Sequence, residues 1–82
     1  GMRRAVVVTG GAGFIGSNII SRLCAEDRWD VIVCDRLESA ALGKWKNIAK
    51  SPIADFWQPE ELFTQLDRHV DRVTAIVHMG AI

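Results

Sequence analysis

The chain has 82 residues, a length that allows at most one small domain. Apolar residues make up 49% of the sequence and charged residues 24%, a balance typical of globular, soluble proteins. Ten basic and ten acidic residues give a net charge of zero, and no run of like charge interrupts the sequence. This gives no support for nucleic acid or a membrane as a partner, and the apolar runs are too short to span a bilayer. A cytoplasmic location is therefore expected.

The first predicted strand covers residues 4–9. Its three consecutive valines are apolar without alternation, as expected for a strand that is buried on both faces of a parallel sheet. A helix is predicted over residues 14–25, because apolar residues recur there at helical spacing along one wide face. A segment rich in glycine joins the strand to the helix, which is the usual entry to a dinucleotide-binding unit.

The glycine spacing fits two nucleotide-binding patterns. Gly11-x-Gly13-x-x-Gly16 is the general dinucleotide fingerprint, and Thr9-Gly10-x-x-Gly13-x-x-Gly16 is a second pattern that includes a threonine. Gly10 and Gly11 are expected to allow a sharp turn, Gly13 a close approach to a diphosphate, and Gly16 tight packing of helix on strand. The N–H groups and dipole at the helix start would then hold the diphosphate. A turn needed only for packing is disfavoured, since each glycine costs about 0.5–1 kcal/mol relative to alanine.

The second predicted strand, residues 30–35, ends in Asp35, nineteen positions after Gly16. An acidic residue at this point commonly hydrogen-bonds the ribose hydroxyls of the adenosine. The alternative is a solvated carboxylate at the end of a strand. Asp35 favours NAD by repelling a 2′-phosphate, whereas Arg36 and Lys44 favour NADP, so the choice between the two cofactors stays open.

The middle of the chain carries weaker signals. A short helical turn is predicted over residues 38–42 and a short third strand over residues 47–50. Pro52 follows closely, which suits a strand at the edge of a sheet. Asp55 and Phe56 come next, and in this kind of fold an aspartate–aromatic pair after the third strand lies beside the adenine.

A second helix is predicted to open at residues 58–61, where Pro59 suits the first helical position and two glutamates suit the first turn. Its buried face is assigned to four apolar residues, namely Leu62, Phe63, Leu66 and Val70. The fourth strand is predicted over residues 72–79 and is followed by a turn of small residues. These elements predict an α/β fold, the N-terminal part of a Rossmann-type doubly wound parallel sheet with strand order 3-2-1-4.

Two residue types that often carry chemistry are interpreted here as structural. His78 is interpreted as a packed or hydrogen-bonded residue at the end of a strand near the cofactor, with catalysis as the alternative. Cys24 and Cys34 have no His or Cys at metal-ligand spacing. They are interpreted as small buried hydrophobic residues in a reducing cytosol, with a redox or metal role as the alternative. No catalytic or metal-binding residue is therefore assigned within the chain.

Residues 9–18 resemble the start of the extended short-chain dehydrogenase/reductase family, the NAD-dependent sugar-nucleotide epimerases and dehydratases. Within that family, residues 44–48, 53–56 and 75–81 resemble the ADP-glyceromanno-heptose 6-epimerases. The resemblance covers nearly all of this chain but only the first part of such an enzyme. It implies that residues 1–82 are the N-terminal portion of a NAD(P)-binding Rossmann domain, without the rest of that domain and without the substrate domain.

The resemblance implies a tightly held NAD or NADP and a reaction by transient oxidation. A sugar carbon is oxidised to a ketone, the intermediate presents its other face, and the hydride returns. A nucleotide sugar is the implied substrate, further copies of the same chain in a homo-oligomer are implied partners, and carbohydrate metabolism, including lipopolysaccharide, is the implied context. The implied cofactor contacts lie at Gly10, Gly13, Phe14, Ile15, Gly16, Asp35, Arg36, Lys44, Asp55, Phe56, Met79, Gly80 and Ala81.

The chain departs from the family pattern at three positions. Arg36 stands where Asn is usual, Met79 where Glu is usual, and Pro59 near the expected place of a lysine that contacts the cofactor. These departures bear on the contacts to a 2′-phosphate.

Catalysis in the family uses a Tyr-x-x-x-Lys pair, with tyrosine as the acid and base. This sequence contains no tyrosine, so we expect the 82 residues themselves to be inactive, as a fragment or a truncated product of such an enzyme. The alternatives are another dehydratase or reductase on the same scaffold, and a non-enzymatic module that senses NAD(P). A Tyr-x-x-x-Lys pair farther along the gene would distinguish an enzyme from a sensor.

Overall fold

The computed structural model describes residues 3–10, 14–36 and 51–79, with the backbone alone described at residues 14 and 15. The helical turn predicted over residues 38–42 lies outside the described residues. In chain order the elements are β1 (Ala5–Thr9), α1 (Phe14–Glu26), β2 (Asp30–Cys34), β3 (Asp55–Trp57), a 3-10 turn (Pro59–Glu61), α2 (Leu62–Arg68) and β4 (Val73–His78).

The strands form one parallel sheet in the order β3-β2-β1-β4, which confirms the predicted α/β class and strand order. β1 lies between β2 and β4, and Thr9 at its end is level with Cys34 and His78. The chain turns to one side of β1 for β2 and β3, and to the other side for β4. This arrangement creates a topological switch point at the ends of the central strands.

The third strand lies later in the sequence than predicted. The structure forms β3 from Asp55–Trp57, and residues 47–50, where the strand was expected, lie outside the described residues. Backbone hydrogen bonds join β3 to β2, from Ala54 N to Val31 O at 2.8 Å and from Asp35 N to Trp57 O at 3.1 Å. Two adjacent aromatic side chains explain the position of the strand, because Phe56 packs on one face of the sheet and Trp57 on the other.

Both faces of the sheet are buried at β1 and β2, as the uninterrupted valines of β1 predict, whereas β4 is largely exposed. On one face, alternate residues of β1 and β2 pack against Ile20 of α1. The buried cluster there consists of Val6, Val8, Ile20, Val31 and Val33. On the other face, the intervening residues of β1 and β2 pack against α2. The buried cluster there consists of Ala5, Val7, Ile32, Cys34 and Trp57. The helices therefore lie on opposite sides of the sheet, which is the doubly wound arrangement.

The buried face predicted for the second helix is wrong at two positions. Leu62 and Leu66 pack against the sheet, but 80% of the surface of Phe63 and 69% of that of Val70 are exposed. Leu62 and Leu66 are one helical turn apart and face the same way, whereas Phe63 is rotated by about 100° from Leu62. Val70 lies beyond the last residue of α2, so the helical spacing no longer sets its direction.

Candidate functional site

The carboxyl edge of the sheet is the edge where the parallel strands end, at Thr9, Cys34, Trp57 and His78. The α1 helix begins at the same edge, since only four residues separate its start from the end of β1. In open α/β sheets ligands bind outside the carboxyl ends of the strands, at the switch point. The predicted site residues that follow the strands are therefore brought to the region where a ligand is expected.

Gly10 opens the turn between β1 and α1 in a left-handed conformation, with φ of 72°. Its N–H donates to the carbonyl of Cys34 at 2.8 Å, which anchors the turn to the neighbouring strand. A residue with a Cβ would destabilise this conformation by about 1–2 kcal/mol, so the backbone favours glycine here. Gly16 is buried in the first turn of α1, and Gly11 and Gly13 lie outside the described residues.

Asp35 directly follows β2, beside the end of β3. Its N–H donates to Trp57 O at 3.1 Å, and its Oδ1 accepts a hydrogen bond from Arg36 N at 2.7 Å. The guanidinium of Arg36 extends toward the turn after β3, where Nη1 lies 3.5 Å from Oε1 of Glu60. Asp35 and Arg36 are thus held together at the carboxyl edge, whereas Lys44 lies outside the described residues.

Asp55 and Phe56 are placed differently from Asp35. Asp55 is level with Ile32 in β2, two residues before the carboxyl edge, and the last residue of the strand is Trp57. The carboxylate of Asp55 is used locally, since Oδ1 accepts from Phe56 N at 2.8 Å and Oδ2 accepts from Trp57 Nε1 at 2.9 Å. The residue that follows β3 at the edge is Gln58. A contact of Asp55 or Phe56 with adenine stays a prediction.

A hydrogen bond joins the ends of β1 and β4. Thr9 Oγ1 and His78 Nδ1 are 2.6 Å apart, and Thr9 is buried. The interpretation of His78 as a hydrogen-bonded residue at a strand end is confirmed. Met79 continues the connection, because its N–H donates to Thr9 O at 2.8 Å and its side chain packs against the sheet face that α1 covers. Gly80 and Ala81 lie outside the described residues.

Both cysteines are free thiols within the folded chain, with Cys34 buried at the end of β2 and Cys24 partly buried on α1. Burial raises the pKa of both thiols, and at Cys34 the carboxylates of Asp35, Glu61 and Glu60 raise the pKa further. Such thiols stay protonated and unreactive near neutral pH. Within residues 3–10, 14–36 and 51–79, no group of three or more His, Cys, Asp or Glu side chains is placed to hold a metal ion.

Two residues at this edge were not singled out by the sequence analysis. Trp57 is 1% exposed and stacks on His69, with ring centroids 5.7 Å apart and an angle of 21° between the planes. The aromatic pair that it forms with Phe56 in the sequence is a signal that could have identified it as a core residue. Glu60 was noted only as an acidic residue at a helix start, and its pairing with Arg36 has no sequence signal because it depends on the β2–β3 alignment.

No helix within the described part of the chain has the length and apolar character that a membrane crossing requires. Comparison with known proteins agrees with the nucleotide-binding architecture. The chain is 41% identical over 78 residues to an ADP-L-glycero-D-manno-heptose-6-epimerase of Alkalilimnicola ehrlichii, an alignment that covers 93% of this chain and 24% of that relative. The chain thus spans about a quarter of the length of this curated relative. Residues 6–82 match the model of the NAD dependent epimerase/dehydratase family, and together with the sheet order and the glycine turn this shows that the chain belongs to that family.

Proposed function

We propose that the protein containing this chain is a NAD(P)-dependent sugar-nucleotide epimerase, and that this chain contributes the N-terminal part of its nucleotide-binding domain. The observation that carries the proposal is that Gly10 and Asp35 lie at the same edge of the sheet, the carboxyl edge. The left-handed Gly10 opens a turn into α1, and Asp35 follows the neighbouring strand at the same edge. The name of the relative, a heptose epimerase that acts on an ADP-linked sugar, supports a nucleotide-linked heptose as the substrate.

The described residues fit a dinucleotide. The start of α1 presents backbone N–H groups and the positive end of the helix dipole, which suits a diphosphate. Asp35 is a carboxylate that accepts hydrogen bonds, which suits the two hydroxyls of a ribose. Arg36 beside it offers a cationic partner for a 2′-phosphate. We assign the diphosphate to the turn between β1 and α1, with Gly13, Phe14, Ile15 and Gly16, and the adenosine ribose to Asp35 and Arg36.

The resemblance of the sequence to the family supports the remaining assignments. We assign Lys44 to the phosphate side of the ribose, Asp55 and Phe56 to the adenine, and Met79, Gly80 and Ala81 to the middle of the cofactor. A bound nicotinamide supplies an acceptor and donor of hydride for transient oxidation of the sugar. The role of this chain is to bind and orient, because its sequence contains no tyrosine to act as the acid and base.

Calorimetric titration of NAD and NADP into the protein that contains this chain tests the proposal. We expect binding of at least one of the two cofactors, and we expect Gly13→Val to abolish it, because the valine side chain would occupy the space that the diphosphate needs. Ala25→Val is a matched control, since it adds the same side chain at an exposed position near the end of α1. Unchanged affinity in Gly13→Val, with a melting temperature equal to that of the control, would show that the glycines serve packing alone.

A second experiment concerns the chemistry. A polypeptide of these 82 residues, incubated with NADP and an ADP-linked heptose, is expected to show no epimerisation because it lacks tyrosine. The protein that contains this chain, assayed with the same substrate, is the positive control. Turnover that copurifies with the 82-residue polypeptide would contradict the assignment of catalysis to another part of the protein. If the whole protein dehydrates or reduces a nucleotide sugar but does not epimerise one, the protein is a dehydratase or reductase of the same family.

A further inference from the structure

We infer that Glu60 lowers the affinity of the carboxyl edge for a 2′-phosphate by pairing with Arg36, and that Glu60 thereby favours NAD over NADP. This inference rests on the proposed function, since it concerns the choice of cofactor at the same site. Glu60 lies in the turn after β3, apart from the glycine turn and from the end of β2 that Asp35 follows. Glu60 would therefore influence the choice between NAD and NADP from the turn after β3.

The sheet register sets the pairing of Glu60 with Arg36. Cys34 and Trp57 are level at the ends of β2 and β3, and Asp35 N donates to Trp57 O at 3.1 Å. Arg36 follows Asp35 just past the end of β2, and the 3-10 turn begins two residues after Trp57. This brings Nη1 of Arg36 to 3.5 Å from Oε1 of Glu60. The contact therefore follows from the parallel alignment of two strands whose residues are far apart in sequence.

Among the described residues, the charged side chains near Cys34 at this edge are mostly negative. Asp35, Glu60 and Glu61 lie close enough to Cys34 for their carboxylates to raise the pKa of its thiol. The carboxylate of Glu61 is held by the backbone, because Oε1 accepts a hydrogen bond from Gln58 N at 2.8 Å. Among these described side chains, Arg36 brings one positive charge to the three carboxylates. A 2′-phosphate would add about −1.5 to −2 charges at neutral pH beside these three carboxylates.

The two cofactors differ in whether Arg36 must leave Glu60 when they bind. The ribose hydroxyls of NAD require an acceptor, which Asp35 supplies without any change at Arg36. The 2′-phosphate of NADP requires a cationic donor, so Arg36 must exchange the carboxylate of Glu60 for the phosphate. The cost of breaking this pair, and the repulsion between Glu60 and the phosphate, apply to NADP alone. Glu60 is thus expected to change the ratio of the two affinities and to leave the affinity for NAD nearly constant.

The test is the substitution Glu60→Gln in the protein that contains this chain, with dissociation constants for NAD and NADP measured by calorimetry at low ionic strength. We expect the affinity for NADP to rise by about three- to tenfold, and the affinity for NAD to change by less than about twofold. The gain should shrink as salt is added, because both side chains are exposed. Asp67→Asn is the matched control, since it removes one exposed carboxylate from α2 at a position farther along the chain.

The same substitution in an Arg36→Ala background tests the mechanism. If Glu60 acts by holding Arg36, most of the gain for NADP disappears when Arg36 is absent. Equal changes for both cofactors in Glu60→Gln, an equal gain in Asp67→Asn, or a full gain without Arg36 would overturn the inference. These outcomes differ from a failure of the proposed function, in which the unaltered protein binds neither NAD nor NADP.

Discussion

Arg72 forms an ion pair with Asp30 across the strand that separates them, with Nη1 and Oδ2 2.7 Å apart. Asp30 begins β2 and Arg72 directly precedes β4, while β1 lies between these two strands. The side chain of Arg72 is 17% exposed and that of Asp30 is 31% exposed. Arg3 Nε lies 3.5 Å from Oδ1, the other carboxylate oxygen of Asp30. The pair ties together the amino edge of the sheet, opposite the carboxyl edge where the proposed site lies.

We predict that Arg72→Met lowers the free energy of unfolding by about 1–2 kcal/mol, because it removes a charge-assisted hydrogen bond and leaves Asp30 with the weaker contact to Arg3. Urea denaturation of the protein that contains this chain measures the change. Arg68→Met is the control, since it makes the same replacement at an exposed position on α2 and should cost less than about 0.5 kcal/mol. Equal stability of the two variants would show that the ion pair contributes nothing net.

A second prediction concerns cofactor choice. Arg36→Ala should weaken binding of NADP by about tenfold and binding of NAD much less, because one charge-assisted hydrogen bond to the 2′-phosphate is lost. The expected effect is at the low end for such a bond, since Glu60 already engages Arg36 in the absence of cofactor. Calorimetric titration of both cofactors provides the measurement. Equal weakening of both would show that Arg36 does not read the 2′-phosphate.

The two thiols make the fold sensitive to alkaline pH. Burial raises the pKa of Cys24 and Cys34 above the ordinary value of 9.0, so the folded state disfavours the thiolate. Their contribution to stability is fully present below pH 9.0 and is lost as the pH rises through the higher pKa of the folded state. Alkylation by iodoacetamide should therefore reach its half-maximal rate above pH 9.0 in the folded protein. The same protein in urea is the control, and a folded-state midpoint at or below that of the control would contradict the prediction.

The exposed strand β4 predicts self-association of a polypeptide limited to these 82 residues. Within the described residues β4 lies at one edge of the sheet, and Ile76 is 50% exposed on it. An uncharged edge strand offers unpaired N–H and C=O groups to another copy, and burial in so small a chain barely offsets conformational entropy. Sedimentation and thermal unfolding should reveal oligomers or partial unfolding. Ile76→Lys should reduce the oligomers because a charge on an edge strand opposes pairing.

Phe63→Lys is the matched control for Ile76→Lys, since Phe63 is a more exposed apolar residue that lies on α2 instead of the sheet edge. Association along β4 predicts that the control still associates. A dilute monomer with a sharp cooperative unfolding transition in the unaltered polypeptide would show that the four strands are stable alone.

The amino-acid sequence by itself determined the class of fold and most of its strands. Consecutive valines in β1 predict a strand buried on both faces, and the following glycines predict a turn into a helix, since both properties depend on residues that are adjacent in the chain. The left-handed Gly10 and the strand order agree with those predictions. The roles of Gly13, Lys44, Gly80 and Ala81 stay predictions, because these residues lie outside the described part of the chain.

Only the tertiary structure decided which residues meet across the sheet. The sequence predicts Asp55 and Phe56 after the third strand, whereas the structure places them within β3, where they pair with β2 and the Asp55 carboxylate accepts local hydrogen bonds. The exposure of Phe63 and the contact between Arg36 and Glu60 were equally unpredictable. Helical spacing and residue type describe one segment at a time, whereas these features depend on how separate segments align and where a helix ends.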